Sequence, residues 1–90
     1  YFIAEEGVVL LVNFKGNRFV VNYTLDQLET QLDPQMFFRA NRQMVVNIRA
    51  VKEVTPYFKG RLHLLLDPAP KGDQIISSGK ANSFKEWLDM

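Results

Sequence analysis

Four polar residues, Arg39, Asn41, Arg42 and Gln43, stand almost consecutively between two runs of core-type side chains, Phe37-Phe38 before them and Met44-Val45-Val46 after. Arginine presents a planar fork of donors, and asparagine and glutamine each carry a donor and an acceptor on one amide. Together they suit phosphate oxygens and the edges of bases. A loop carrying them, anchored in the core at both ends, would lose little ordering entropy on binding. Nucleic acid is the first partner this pattern implies. Asn47, just after Val46 and before Ile48, is expected to be half-buried with its amide satisfied by nearby backbone, a structural pin rather than a contact.

The charge distribution agrees. The net charge is only +1, yet Arg39, Arg42, Arg49, Lys52, Lys59 and Arg61 face the single acid Glu53 within residues 39–61, while Asp26, Glu29 and Asp33 lie within residues 24–34 with no base. An electrostatic footprint depends on distribution rather than on the total. The chain has a basic middle beside an acidic helix. Tyr57-Phe58 next to the Lys59-Gly60 turn reads either as a stacking platform for bases or as a cross-strand core pair, with the core pair preferred.

Catalytic constellations are absent. There is no cysteine, which removes disulfides, thiolate ligation and thiol chemistry. The one histidine, His63, falls in the alternating strand-like run Arg61 to Leu66 without a second histidine at ligand spacing, and reads as an outward or partly buried sheet residue. Glu5-Glu6 reads as a solvated turn rather than an acid–base pair. Gly72, Gly79, Ser77 and Ser78 lack the spacing of a phosphate-cradling loop. No enzyme activity, metal or cofactor is expected.

The elements that must carry these residues follow from pattern. The 90 residues, 47% hydrophobic and 12% aromatic, suffice for one small core. No apolar run approaches the roughly 20 residues needed to cross a bilayer, so no membrane contact is expected and the cytoplasm is the expected compartment. Tyr1 to Ala4, Val8 to Phe14 and Arg18 to Tyr23 read as strands, with turns at Glu5-Glu6-Gly7 and Lys15-Gly16-Asn17. Thr24-Leu25-Asp26-Gln27 is a capping box opening a short helix over residues 25–32, which Asp33-Pro34 ends. Met36 to Arg39, Met44 to Ile48, Val51 to Phe58 and Arg61 to Leu66 read as strands. A loop over Asp67 to Asp73, a short strand at Gln74 to Ser77 and an amphipathic segment with Phe84, Trp87 and Leu88 on one face complete the chain.

These residues closely resemble the LytTR family, the DNA-binding output domain of many bacterial response regulators. The family signature, an aromatic followed by Arg-x-His-Arg-x-aromatic-hydrophobic-hydrophobic-Asn, is similar to Phe38 through Asn47. Tyr23 to Glu29 with Leu32-Asp33 resembles the preceding family helix, and Ser77 to Leu88 its closing Ser-Arg motif and final helix.

The resemblance implies a mainly β fold of packed small antiparallel sheets, with a short helix near residues 25–32 and a C-terminal helix. Its loops, rather than a recognition helix, would enter successive major grooves of double-stranded DNA. It implies a homodimer on promoter direct repeats, switched by the phosphorylation of an upstream receiver domain, so that residues 1–90 form one domain of a longer protein with an N-terminal receiver or sensor. By position, Asn41, Arg42 and Gln43 would supply one major-groove contact, and the loop at Ser78, Gly79 and Lys80 a second. Arg39 would anchor phosphate or the loop itself, and the turn bearing Glu6 would mark a further contact region.

Two departures from the family pattern bear on contact: Asn41 replaces the usual histidine, and Ser78 replaces an arginine, removing charge and reach. A module that kept the fold and grips a protein partner instead of DNA is the rival reading, and Ser78 is the feature that favours it.

Overall fold

A computed structural model describes residues 1–89. Its first sheet has five strands: β1 (Phe2–Glu5), β2 (Val8–Val12), β3 (Arg18–Val21), β4 (Phe37–Asn41) and β5 (Met44–Asn47), in the order β3-β2-β1-β5-β4. The second has three: β6 (Val51–Pro56), β7 (Leu62–Leu66) and β8 (Gln74–Ile76), in chain order. Every strand pair is antiparallel. Two α-helices, α1 (Leu25–Gln31) and α2 (Ser78–Leu88), complete the described chain.

The period-2 alternation of strand side chains gives the first sheet two apolar faces, each with its own cover. On one face, Phe2 and Val45 pack with Leu25 and Leu28 of α1. On the other, Ile3, Met44 and Val46 meet Leu62, Leu64, Leu66 and Ile76 of the second sheet and Phe84 and Trp87 of α2. The neighbours Phe37 and Phe38 divide between these two cores. Phe38 lies 5.3 Å, centroid to centroid, from both Phe84 and Trp87.

Local chemistry sets the element ends. The Thr24 hydroxyl accepts from the Gln27 amide at 3.0 Å and the Gln27 side chain accepts from the Thr24 amide at 2.9 Å, closing the capping box that starts α1. Asn47 is the expected pin: its Oδ1 accepts from the Arg49 amide at 2.8 Å and caps a 3-10 turn, Ile48–Ala50, that carries the chain from the first sheet to the second. The indole of Trp87 donates to the Pro34 carbonyl at 3.0 Å, fastening α2 to the connection after α1.

Three expectations need correction. Residues 39–41 are not loop: β4 runs to Asn41 through a bulge between Arg39 and Asn41, leaving only Arg42-Gln43 as the turn. Ser78, Gly79 and Lys80 are not loop either but the first turn of α2, with Ser77 as its N-cap. Tyr57 and Phe58 are no core pair, since the strand stops at Pro56 and both rings are exposed, Phe58 at 73%.

Candidate nucleic-acid interface

The turn at Arg42-Gln43 is held from three sides. Arg39, on β4, donates from Nε to the Asn41 carbonyl at 2.7 Å and from Nη2 to the Arg42 carbonyl at 3.3 Å. Its Nη1 meets Asp26 at 2.7 Å and Glu29 at 3.0 Å, both on α1. The acidic helix seen in the sequence is therefore what positions this arginine. Arg39 is tied to the turn and its side chain is only 15% exposed. From the opposite side, the Ala4 amide on β1 donates to the Gln43 carbonyl at 2.8 Å.

Asn41 forms the third support. Its Nδ2 donates to Gln74 Oε1 at 2.9 Å and to the Ile75 carbonyl at 3.2 Å, and its Oδ1 accepts from the Gln43 amide at 2.8 Å. The partners on β8 belong to the second sheet, so one amide joins the two sheets and shapes the turn at once. Gln74 is the only buried polar residue, 2% exposed, among the described residues. Asn41 is thus not held out on a loop as the sequence implied. Donation to a base would require breaking bonds that occupy both of its amide N–H groups, and its Oδ1 already accepts one bond.

Arg42 is different. It is exposed, and its guanidinium has neither a carboxylate nor another acceptor among the described residues. It borders two clefts. One, of about 660 Å³, is lined by the Glu5-Glu6-Gly7 turn, the start of α1, Arg39 and Arg42. The other, of about 340 Å³, is lined by Asn41, Arg42, Arg61, Ser77 and Lys80. Shared clefts bring the Glu6 turn, the Arg42-Gln43 turn and the start of α2 to one edge of the molecule.

Glu6 is exposed in a left-handed conformation (φ 50°) at that edge, while its neighbour Glu5 is taken up by Arg18 at 2.8 Å. Lys80 donates from Nζ to the Arg39 carbonyl at 3.1 Å, which ties the first turn of α2 to β4. Ser78 and Gly79 are exposed there. His63 lies at the side of β7, 3.3 Å from Asp73 Oδ1, apart from the residues that line the two clefts.

Sequence reasoning missed Arg61 as a member of this edge. The signal was present only as its charge, because Arg61 and Lys80 are separated in sequence by β7 and β8 and come together only through tertiary packing. The chain contains no helix long and apolar enough to span a membrane among its described residues.

The LytTr DNA-binding domain family model matches residues 1–89. The sensory transduction protein LytT of Oceanobacillus iheyensis is 33% identical over 88 residues, covering 97% of this chain and 36% of that protein. An uncharacterized response regulatory protein of Vibrio cholerae is 30% identical over 70 residues, covering 74% of this chain and 27% of that protein. The chain therefore spans about a third or less of the length of these relatives. A LytTr DNA-binding domain from Bacillus cereus superposes with a TM-score of 0.79 at 21% identity, covering 99% of this chain and 79% of that one, and shows the same fold of two antiparallel sheets and two helices. By its sequence match over nearly every residue, the chain belongs to the LytTr DNA-binding domain family.

Proposed function

We propose that this domain binds double-stranded DNA sequence-specifically, as the output module of a bacterial transcriptional regulator, by placing the Arg42-Gln43 turn in the major groove. The observation that carries the reading is the pairing of an acceptor-free, exposed Arg42 guanidinium with a turn whose backbone is fixed by Arg39, Asn41 and Ala4. A fork held on a rigid base suits the O6 and N7 atoms of guanine, a bidentate contact that discriminates by about 1–3 kcal/mol. Gln43 beside it offers the amide pairing suited to adenine. Arg39 and Asn41 support the turn, while Ser78, Lys80 and the Glu6 turn lie along the same edge as the second and third contact regions.

In the longer protein, an upstream receiver domain would control the access or pairing of two such modules on direct repeats in the cytoplasm. The relatives' descriptions as sensory transduction and response regulatory proteins support that placement.

The test is a duplex selected from a random pool by the chain itself, followed by titration at fixed salt. Arg42→Ala should weaken the selected duplex by the equivalent of about 1–3 kcal/mol more than it weakens scrambled duplex. An unchanged preference would remove Arg42 as the reader. A chain that enriches no sequence and binds no duplex would remove the DNA reading altogether.

A further inference from the structure

The smaller cleft gathers three cations from three different places: Arg42 from the β4–β5 turn, Lys80 from the first turn of α2, and Arg61 from the end of the β6–β7 turn. Among the described residues, no carboxylate lines it. Like charges converging on a concave surface lined by neutral polar groups repel one another until an anion separates them. Asn41 and Ser77 complete that lining.

Arg61 is also held in place. Its guanidinium carbon sits 4.9 Å from the centre of the Tyr57 ring, its Nε donates to the Phe58 carbonyl at 3.0 Å, and its backbone brackets the turn through Tyr57 and Phe58. Stacking on an aromatic face fixes the plane of the fork and reduces the rotamer freedom lost on binding. Its two terminal nitrogens retain no protein acceptor among the described residues. Gly60 places the turn beside α2, where a Cβ built on it would lie 3.5 Å from that of Ser78.

We infer that Arg61 binds a phosphate of the DNA backbone in this cleft, between Arg42 and Lys80, as a contact that supplies affinity without reading sequence. The inference rests on the DNA-binding reading and extends it to the second sheet. Tethering at Nε and over Tyr57 shortens the reach of Arg61, which suits a phosphate at the groove wall rather than a base edge on its floor. Gly60, the residue before Arg61, lies beside Ser78, so this contact would supply charge near that uncharged first residue of α2.

Titrations of the selected duplex and a scrambled duplex over a range of salt concentrations test it. Arg61→Ala should weaken both duplexes by the same factor, roughly tenfold, and flatten the dependence of log affinity on log salt by about one. Arg61→Lys, which keeps the charge but not the stacked fork, should retain the salt slope while losing part of the affinity. Tyr57→Ala should weaken both duplexes less than Arg61→Ala does. Wild-type affinity and slope in a folded Arg61→Ala chain would overturn the inference while leaving the DNA reading intact. A loss confined to the selected duplex would overturn it too, by making Arg61 a reader. Failure of the unaltered chain to bind either duplex would instead strike the DNA reading on which it depends.

Discussion

The β4–β5 turn and the β6–β7 turn both raise an arginine to the same edge, yet they are built in opposite ways. The first is shaped by partners far away in the sequence: Asp26 and Glu29 through Arg39, Ala4 on β1, and Gln74 and Ile75 through Asn41. The second is shaped within five residues, by the Tyr57 amide on the Arg61 carbonyl, by Arg61 on Phe58, by the edge-to-face contact of Tyr57 and Phe58, and by the Arg61 guanidinium over the Tyr57 ring. A turn fixed by the whole fold can aim a fork with the accuracy that base readout needs. A turn fixed locally holds a charge, and a charge is enough for phosphate.

The largest expected disturbance of this contrast comes from Asn41→Ala. It leaves the buried Gln74 amide oxygen and the Ile75 carbonyl without their donor, costing about 1–3 kcal/mol in denaturant unfolding, and it frees the Gln43 amide as well. Amide exchange at Gln43 should rise while the β6–β7 turn keeps its protection. An equal rise at both turns would show that they are not independent.

Arg39→Lys comes next. Lysine keeps a charge near Asp26 and Glu29, but it cannot also span the Asn41 and Arg42 carbonyls with a rigid fork. About 1 kcal/mol of stability should be lost. The preference between selected and scrambled duplex should narrow more than the affinity for scrambled duplex falls. A change in stability with the preference intact would mean that the turn does not need the clamp.

The smallest effect on DNA binding is expected from Gly60→Ala. Gly60 has φ 77°, a conformation that costs a residue with a Cβ about 1–2 kcal/mol, and the added atom would have only ordinary contact with Ser78. The locally built turn should yield by shifting, so scrambled and selected duplexes should weaken together by a few-fold or less. A selective loss would reveal that this turn also reads.

How far the sequence revealed these arrangements depended on the range of the interactions involved. The capping box at Thr24, the β7 alternation of Leu62, Leu64 and Leu66, and the Phe84–Trp87 face of α2 rest on neighbours a few residues apart, and each appears where the pattern placed it. The role of Asn41 rests on atoms 33 and 34 residues away, and that of Arg39 on acids 10 and 13 residues away. Periodicity carries no trace of either.

The family resemblance implied a loop at Ser78, Gly79 and Lys80, and Gly79 is a poor helix former. Packing of Ala81 and Phe84 overrides that preference and starts the helix at Ser78. Pro56 ended a strand that the alternation would have carried to Phe58, which left Tyr57 and Phe58 in the open.

Between the two turns lies the three-residue passage Ile48–Ala50, capped by Asn47, where the backbone leaves one sheet for the other. The sheets meet again at the Asn41 bond to β8, so the passage and the bond together form a closed frame. A frame closed at two places holds the β4–β5 turn and the β6–β7 turn at a fixed separation. On the proposed DNA reading, a duplex would have to bring a base edge to Arg42 and a phosphate to Arg61 at that separation, so its shape as well as its chemistry would enter the fit.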